Sequence, residues 1–334
     1  MKNSIALYIF ISLICFSNCK QKTETTETIP SNSDLSSTAK INELIQKSPY
    51  ADSLYYKRAI IHYDEGNIDS VYADLNRAIF LNKNKKEYYF FLADTYLENA
   101  QSKESKAVME KAMAIFPDDI ATQLKNVRLN LILKEFPLAT IGLNKIFLQD
   151  PQNAEAFYLA GHTSYETGDT ASAINAYQKA VDINPEFKEA WIQLGDVMSE
   201  RKNKLSIRYY DNALRLDSND VETMHNKAYA YQMLNQENEA FELYKKICTR
   251  FSDYEPAFYN IGIIYANKDS IAKAIEHFTI SIGMSPMEAS SYYQRGLCYE
   301  KQKKRVEAKA DFSKATALEP EWKEAKEALQ RINK

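Results

Sequence analysis

The chain has 334 residues, 45% of them hydrophobic and 26% charged, with a formal net charge of −3. That length fits two ordinary domains or one extended array, and near-neutral charge without a basic run interleaved with aromatics gives a nucleic-acid role no electrostatic support. Only 8 Gly and 9 Pro leave few turns, against 23 Tyr, so the composition favours helices over a turn-rich β architecture.

In chain order, Lys2 precedes an apolar run from Ile5 to Phe16, too short to span a bilayer comfortably. A basic start with a short apolar core is the pattern of an export signal. Cys19 follows at once in Phe16-Ser17-Asn18-Cys19. The segment resembles a bacterial lipoprotein signal, which implies acylation of Cys19, although Phe16 and Asn18 depart from the Leu and the small residue usual there. The alternative is an ordinary cleaved signal and a free periplasmic or secreted protein. The segment 19–38 is rich in Thr, Ser and Glu, with Pro30 and almost no large apolar side chains. It cannot bury enough surface to fold and would act as a tether of roughly 25 Å. Lys20 after the Cys resembles lipoproteins sent on to the outer membrane of Gram-negative bacteria.

Residues 39–51 are expected to form one capping helix. From Asp52 the sequence repeats about every 34 residues. Gly296, Tyr299, Ala308, Phe312, Ala315 and Pro320 stand at the offsets of Gly262, Tyr265, Ala274, Phe278, Ser281 and Pro286 in the unit before. The unit at Ala154 shows Phe157, Gly161, Ala173, Tyr177, Ala180 and Pro185, and the next shows Trp191, Leu194, Gly195, Tyr210 and Ala213. This resembles the tetratricopeptide pattern of two-helix repeats. The resemblance implies an all-α fold, a right-handed α-solenoid of about eight repeats: 52–85, 86–119, 120–153, 154–187, 188–220, 221–254, 255–288 and 289–322. The third unit departs from the pattern, with Val127 in place of the Gly. A second capping helix is expected over 323–334. The small residues let paired helices approach closely, and the prolines stop the second helix of a unit.

In the family the first helix of each unit lines a concave groove through its second, fifth, ninth and twelfth places. The fifth place reads Tyr56, Phe90, Leu124, Tyr158, Ile192, His225, Tyr259 and Tyr293. The twelfth reads Tyr63, Leu97, Leu131, Tyr165, Ser199, Gln232, Ala266 and Glu300. An apolar and aromatic stripe in the first four units is therefore expected to anchor a partner peptide or helix; the alternative is that these side chains pack between neighbouring first helices. The expected groove residues are Tyr56, Tyr63, Phe90, Leu97, Leu124, Leu131, Tyr158, Tyr165, Tyr259 and Tyr293. The ninth place reads Ile60, Asp94, Arg128, His162, Asp196, Tyr229, Ile263 and Leu297. The Lys–Asn clamp of family members that grip a terminal carboxylate is missing there.

Catalytic residues, cofactor and metal are all expected to be none. His62, His162, His225 and His277 lie in different units, and no nucleophile or phosphate-loop motif is present. Glu155, His162 and Glu166 share one helix face but read as a solvated edge. Cys248 and Cys298 read as buried thiols. Asp52-Ser53-Leu54, Asp69-Ser70-Val71, Asp169-Thr170-Ala171 and Asp269-Ser270-Ile271 resemble O-glycosylation acceptors of some Bacteroidota, although helix capping accounts for such residues between two helices. The functional expectation is a lipid-anchored protein-binding scaffold of the cell envelope, with an outer-membrane assembly or secretion complex as its expected setting. The alternative is glycan or small-ligand capture by the aromatic groove.

Overall fold

The computed structural model describes residues 38–334, so the export signal, Cys19 and all but the last residue of the tether lie outside the described residues. Eighteen helices and no strand are found among the described residues. Helix α1 is Thr38–Lys47; it stops short of the expected 51 because Pro49 follows and disfavours helical geometry before it. Eight helix pairs then follow in chain order: α2 Asp52–Asp64 and α3 Ile68–Leu81, α4 Lys86–Glu98 and α5 Ser102–Ile115, α6 Ile120–Ile132 and α7 Phe136–Gln149, α8 Ala154–Glu166 and α9 Thr170–Ile183. The last four are α10 Lys188–Glu200 and α11 Leu205–Leu216, α12 Val221–Met233 and α13 Glu237–Arg250, α14 Glu255–Asn267 and α15 Ile271–Met284, α16 Ala289–Lys301 and α17 Arg305–Leu318. Helix α18, Lys323–Asn333, closes the chain. No helix among the described residues is long and apolar enough to cross a membrane.

The chain divides into two compact units, one up to Thr95 and one from Tyr96 onward. The boundary falls inside α4. In each unit, helices pack on those beside them in sequence: first helix on second, then second helix on the next first helix. This nearest-neighbour packing is that of an α-solenoid.

The pairing has a specific steric basis. At Gly161, Gly195, Gly262 and Gly296 an added Cβ would lie 2.4–2.7 Å from the ring of Tyr177, Tyr210, Phe278 and Phe312 respectively. All four rings are at most 1% exposed. The third pair solves the same problem in reverse. Val127 stands where the others have Gly, and the space comes from Gly142 on the second helix, whose added Cβ would meet Val127 Cγ2 at 2.6 Å.

Each turn between paired helices contains one residue in the left-handed region: Gly66, Ala100, Lys134, Gly168, Lys202, Asn235, Asp269 and Lys303. Only two of the eight are glycine, so most turns carry a conformational cost on the order of 1 kcal/mol. The first and last pairs share one further device. Arg58 forks onto Asp74 (2.7 and 2.6 Å) and also reaches Asn42 on α1. Arg295 forks onto Asp311 (2.8 and 2.8 Å) at the same register. Both aspartates are buried. At the C-terminal end Arg331 of α18 forks onto Glu300 (2.8 and 2.7 Å) while Ala325, Ala328 and Ile332 are buried.

Two substitutions with opposite signs test this account. Gly195→Ala is expected to destabilise by about 1–3 kcal/mol through the clash with Tyr210. Lys303→Gly is expected to stabilise by about 0.5–1 kcal/mol through relief of the positive φ. Urea unfolding followed by circular dichroism measures both.

Candidate functional site

The ten expected groove residues fall into two sets. Fifth-place side chains are largely structural. Tyr158 is 8% exposed and Leu124 7%, and both belong to one core cluster with Val127, Leu143, Tyr177 and Leu194. The reading of these two as exposed anchors is therefore corrected. Tyr158 packs on Tyr177 (5.9 Å between ring centres) and on Phe187 (4.9 Å). The pattern recurs down the row. His225 packs on Tyr244 (5.5 Å) and Tyr254 (5.7 Å), Tyr259 on Phe278 (5.7 Å), and Tyr293 on Phe312 (5.9 Å) and Trp322 (4.7 Å). Tyr158, His225 and Tyr293 each sit between the second-helix aromatic and the ring that ends the repeat, while Tyr259 meets the second-helix aromatic alone. Such a row welds helix pairs instead of offering faces to a ligand.

In the unit up to Thr95, Tyr56 is half-buried against Tyr88 (4.9 Å) and Phe91 (6.0 Å), and Phe90 is partly buried. Tyr63 is the most open of the ten at 36%, and its ring meets Phe91 edge-on. In the second unit Leu97 is partly buried and Leu131 packs against the core. Tyr165 is also partly buried, but its hydroxyl donates to both Glu200 oxygens (2.7 and 2.8 Å).

That last contact belongs to a set of polar ties between consecutive first helices. Arg128 of α6 donates to Glu155 of α8 (3.1 and 2.7 Å). Asn226 of α12 donates to Asp196 of α10 (3.3 Å), which also accepts from the Tyr210 hydroxyl (2.7 Å). Asn260 of α14 contacts His225 Nε2 of α12 (3.0 Å). Asp196, Glu200, Asn226 and Asn260 were not among the expected site residues. Asp196 stands in the ninth-place row, but that row also holds Asp94, Arg128 and His162, so its residue type alone does not single it out.

Electrostatics follow from depth. Burial, reinforced by the Glu200 charge, pushes the Asp196 carboxyl up to about 6, against the hydrogen bonds from Tyr210 and Asn226 that oppose the shift. Burial holds His162 and His225 down at about 4, with the Arg128 charge adding to the effect at His162. A neutral His225 is what lets its Nε2 accept from Asn260. His162 is sandwiched edge-on by Tyr158 (4.5 Å) and Tyr177 (5.4 Å). With Glu155 engaged by Arg128, the Glu155, His162 and Glu166 face is no solvated edge at His162. Among the described residues no group of three His, Cys, Asp or Glu is arranged to hold a metal. Cys248 and Cys298 are free thiols, raised to about 11 by burial.

Of the three Asp-Ser/Thr-apolar sites between paired helices, only Asp169 caps the following helix through its side chain, accepting from the Ser172 amide (3.0 Å). Capping therefore accounts for Asp169 and not for Asp69 or Asp269; Asp269 is instead the left-handed residue of its turn. Asp52 accepts from the Tyr88 hydroxyl (2.7 Å) and from Asn82 (3.1 Å).

These shifts set the acid behaviour of the fold. His162 and His225 bind protons more weakly folded than unfolded, so between pH 6.5 and about 4 acid favours unfolding. Asp196 binds its proton more tightly folded than unfolded, so between about 6 and 3.8 acid favours folding and offsets one histidine. Thermal unfolding is expected to show a melting temperature that falls from pH 7 to pH 4.5. Asp196→Asn is expected to be more stable at pH 7, by about 3 kcal/mol, and to lose stability more steeply on acidification.

Comparison with known proteins agrees with this architecture. Family models described as tetratricopeptide or TPR repeats match residues 86–119, 161–200 and 289–322. The chain is 23% identical over 227 residues to a DnaJ homolog subfamily C member 7 homolog of Dictyostelium discoideum, covering 67% of this chain and 39% of that protein. It spans less than half the length of the curated relatives it matches. Among solved structures it resembles yeast Tom70 (TM-score 0.60, 17% identity, 80% of this chain and 59% of that one). It also resembles a tetratricopeptide-repeat protein of Parabacteroides merdae (TM-score 0.55, 17% identity, 75% and 99%). With three repeat models matched and glycine–ring pairs recurring in register through the helices, the chain carries tetratricopeptide repeats.

Proposed function

We propose that this protein is a non-catalytic scaffold that holds a protein partner on the first-helix face of its repeats, in a bacterial cell envelope to which Cys19 anchors it. The observation that carries the binding role is the division of labour between rows. The fifth-place rings are consumed by packing, while the neighbouring rows of the same helices present Tyr165, Glu166, Tyr229 and Glu200 toward solvent to varying degrees. A face that is held rigidly from behind and left polar in front suits recognition of a polypeptide. The relatives' names include a protein O-mannosyl-transferase, but that match covers only 17% of the relative. The glycan-capture alternative loses its main support, because the rings that would stack on a sugar are packed against Tyr177, Phe187, Phe278, Phe312 and Trp322.

The anchoring and binding parts of the reading are separable. Cys19→Ala is expected to move the protein from the membrane to the soluble fraction, and retention in the membrane would remove the lipoprotein assignment. A photo-crosslinking amino acid placed at Tyr229, on the first-helix face, is expected to trap a discrete protein partner in whole envelopes. The same probe at Lys179, on a second helix, is expected to trap none. Crosslinks of equal yield from both positions would contradict binding on the first-helix face.

A further inference from the structure

Helix α7 of the third repeat is apolar on two sides. Its inner side buries Ala139, Leu143 and Ile146. Its outer side leaves Leu138 43%, Ile141 65% and Leu148 86% exposed. No other second helix of a pair carries large apolar residues at all three of these places. They read Ser172, Asn175 and Asp182 in α9, and Glu239, Glu242 and Thr249 in α13. Helix α7 is also the one second helix that contains neither aspartate nor glutamate. A helix that is apolar all round belongs inside an assembly, and clustered exposed apolar side chains mark interaction surfaces.

The spacing of the stripe points to what covers it. Leu138, Ile141, Lys145 and Leu148 follow one another at intervals of three, four and three residues, which keeps them within about 80° of arc on one face. That order reads the same in both directions. Two copies of α7 laid antiparallel, about a two-fold axis beside Leu143, set Leu138 on Leu148 and Ile141 on Lys145. Each contact then occurs twice, as an isologous interface requires. Lys145 is prepared for this. Its ammonium is turned to its own molecule, donating to the Pro117 carbonyl and lying 3.4 Å from Asp118. Its methylene stem is left to pack on an apolar neighbour. With that charge paired and no carboxylate on the helix, the stripe does not repel its own copy. The same pairing engages the one cation on the stripe that would draw it to anionic lipid headgroups.

We propose that the outer face of α7 is the contact between two copies of this chain, paired antiparallel with Leu138 of each on Leu148 of the other. The surface lies on a second helix, so the inference does not depend on the first-helix face as a binding surface. A helix of 14 residues is about 21 Å long. One such face falls short of the about 800 Å² per partner of a stable interface, so the pairing is weak and depends on concentration.

The test uses the full chain carrying Cys19→Ala, followed by analytical ultracentrifugation from about 5 μM to about 500 μM, the range of weak association. A monomer–dimer equilibrium is expected. Ile141→Lys/Leu148→Lys is expected to raise the dimer dissociation constant about tenfold or more with an unchanged melting temperature, since both side chains are exposed. The control Asn175→Lys/Thr249→Lys makes the same charge change at matching exposed places of α9 and α13 and is expected to alter it less than about twofold. Orientation is read by mixing Leu138→Cys and Leu148→Cys chains and oxidising them. The mixed 138–148 disulfide is expected to dominate, because antiparallel pairing sets two Leu138 positions about 15 Å apart along the axis, beyond disulfide reach. A chain that stays monomeric throughout, equal weakening by both double variants, or a predominance of same-residue disulfides would overturn the proposal. So would flotation of a monomeric chain with phosphatidylglycerol vesicles that is lost in Ile141→Lys/Leu148→Lys, which would assign the stripe to a lipid surface.

Discussion

The contact on which the second unit depends is an aromatic ring of a second helix laid against the bare backbone of a first-helix glycine. At Gly161, Gly195, Gly262 and Gly296 there is no room for a methyl group under the ring. The close approach fixes how far apart the paired helices lie and where the ring edge ends. Everything on the working face is positioned through it. Tyr210, seated on Gly195, delivers its hydroxyl to Asp196, and Tyr177, seated on Gly161, packs against Tyr158 and His162. Fifth-place rings then pack on the seated rings, so one glycine organises three layers of side chains.

The seating also explains why a half-buried carboxylate survives. Taking an isolated carboxylate out of water is costly, and Asp196 is relieved only by two neutral donors, Tyr210 and Asn226. The packing around Asp196 is stiff enough to hold it in place against that cost. Natural folds concentrate such penalties where function needs them. The ion pairs Arg58–Asp74 and Arg295–Asp311 show the contrasting case, in which the same repeat scaffold supplies a buried aspartate with its own cation.

Much of the fold was legible in the sequence because its determinants are local and periodic. Small residues at Gly161, Gly195, Gly262 and Gly296 recur with large rings about sixteen places on, and that complementarity reads directly as a helix pair. The third repeat was legible only in part: Val127 broke the pattern, and the compensation at Gly142 sits on the other helix, where no periodic rule looks for it. The fifth-place row was misread because family register gives the face of a helix but not the depth of a side chain. Tyr158 is buried by Tyr177 and Phe187, nineteen and twenty-nine residues downstream, and nothing at Tyr158 itself announces that. Asp196 shares its row with Asp94 and Arg128, so spacing does not single it out; its contacts with Tyr210 and Asn226 are a property of packing.

A double-mutant cycle on Gly262 and Phe278 tests the central contact most directly, because this pair carries no hydroxyl and meets through the ring alone. Gly262→Ala, Phe278→Leu and the double variant are each unfolded in urea. If the ring on the bare backbone sets the helix spacing, the smaller leucine makes room for the added methyl, and the double variant is more stable than the sum of the single losses by about 1–3 kcal/mol. Losses that add to within about 0.5 kcal/mol would show that the two residues act independently and would contradict the account.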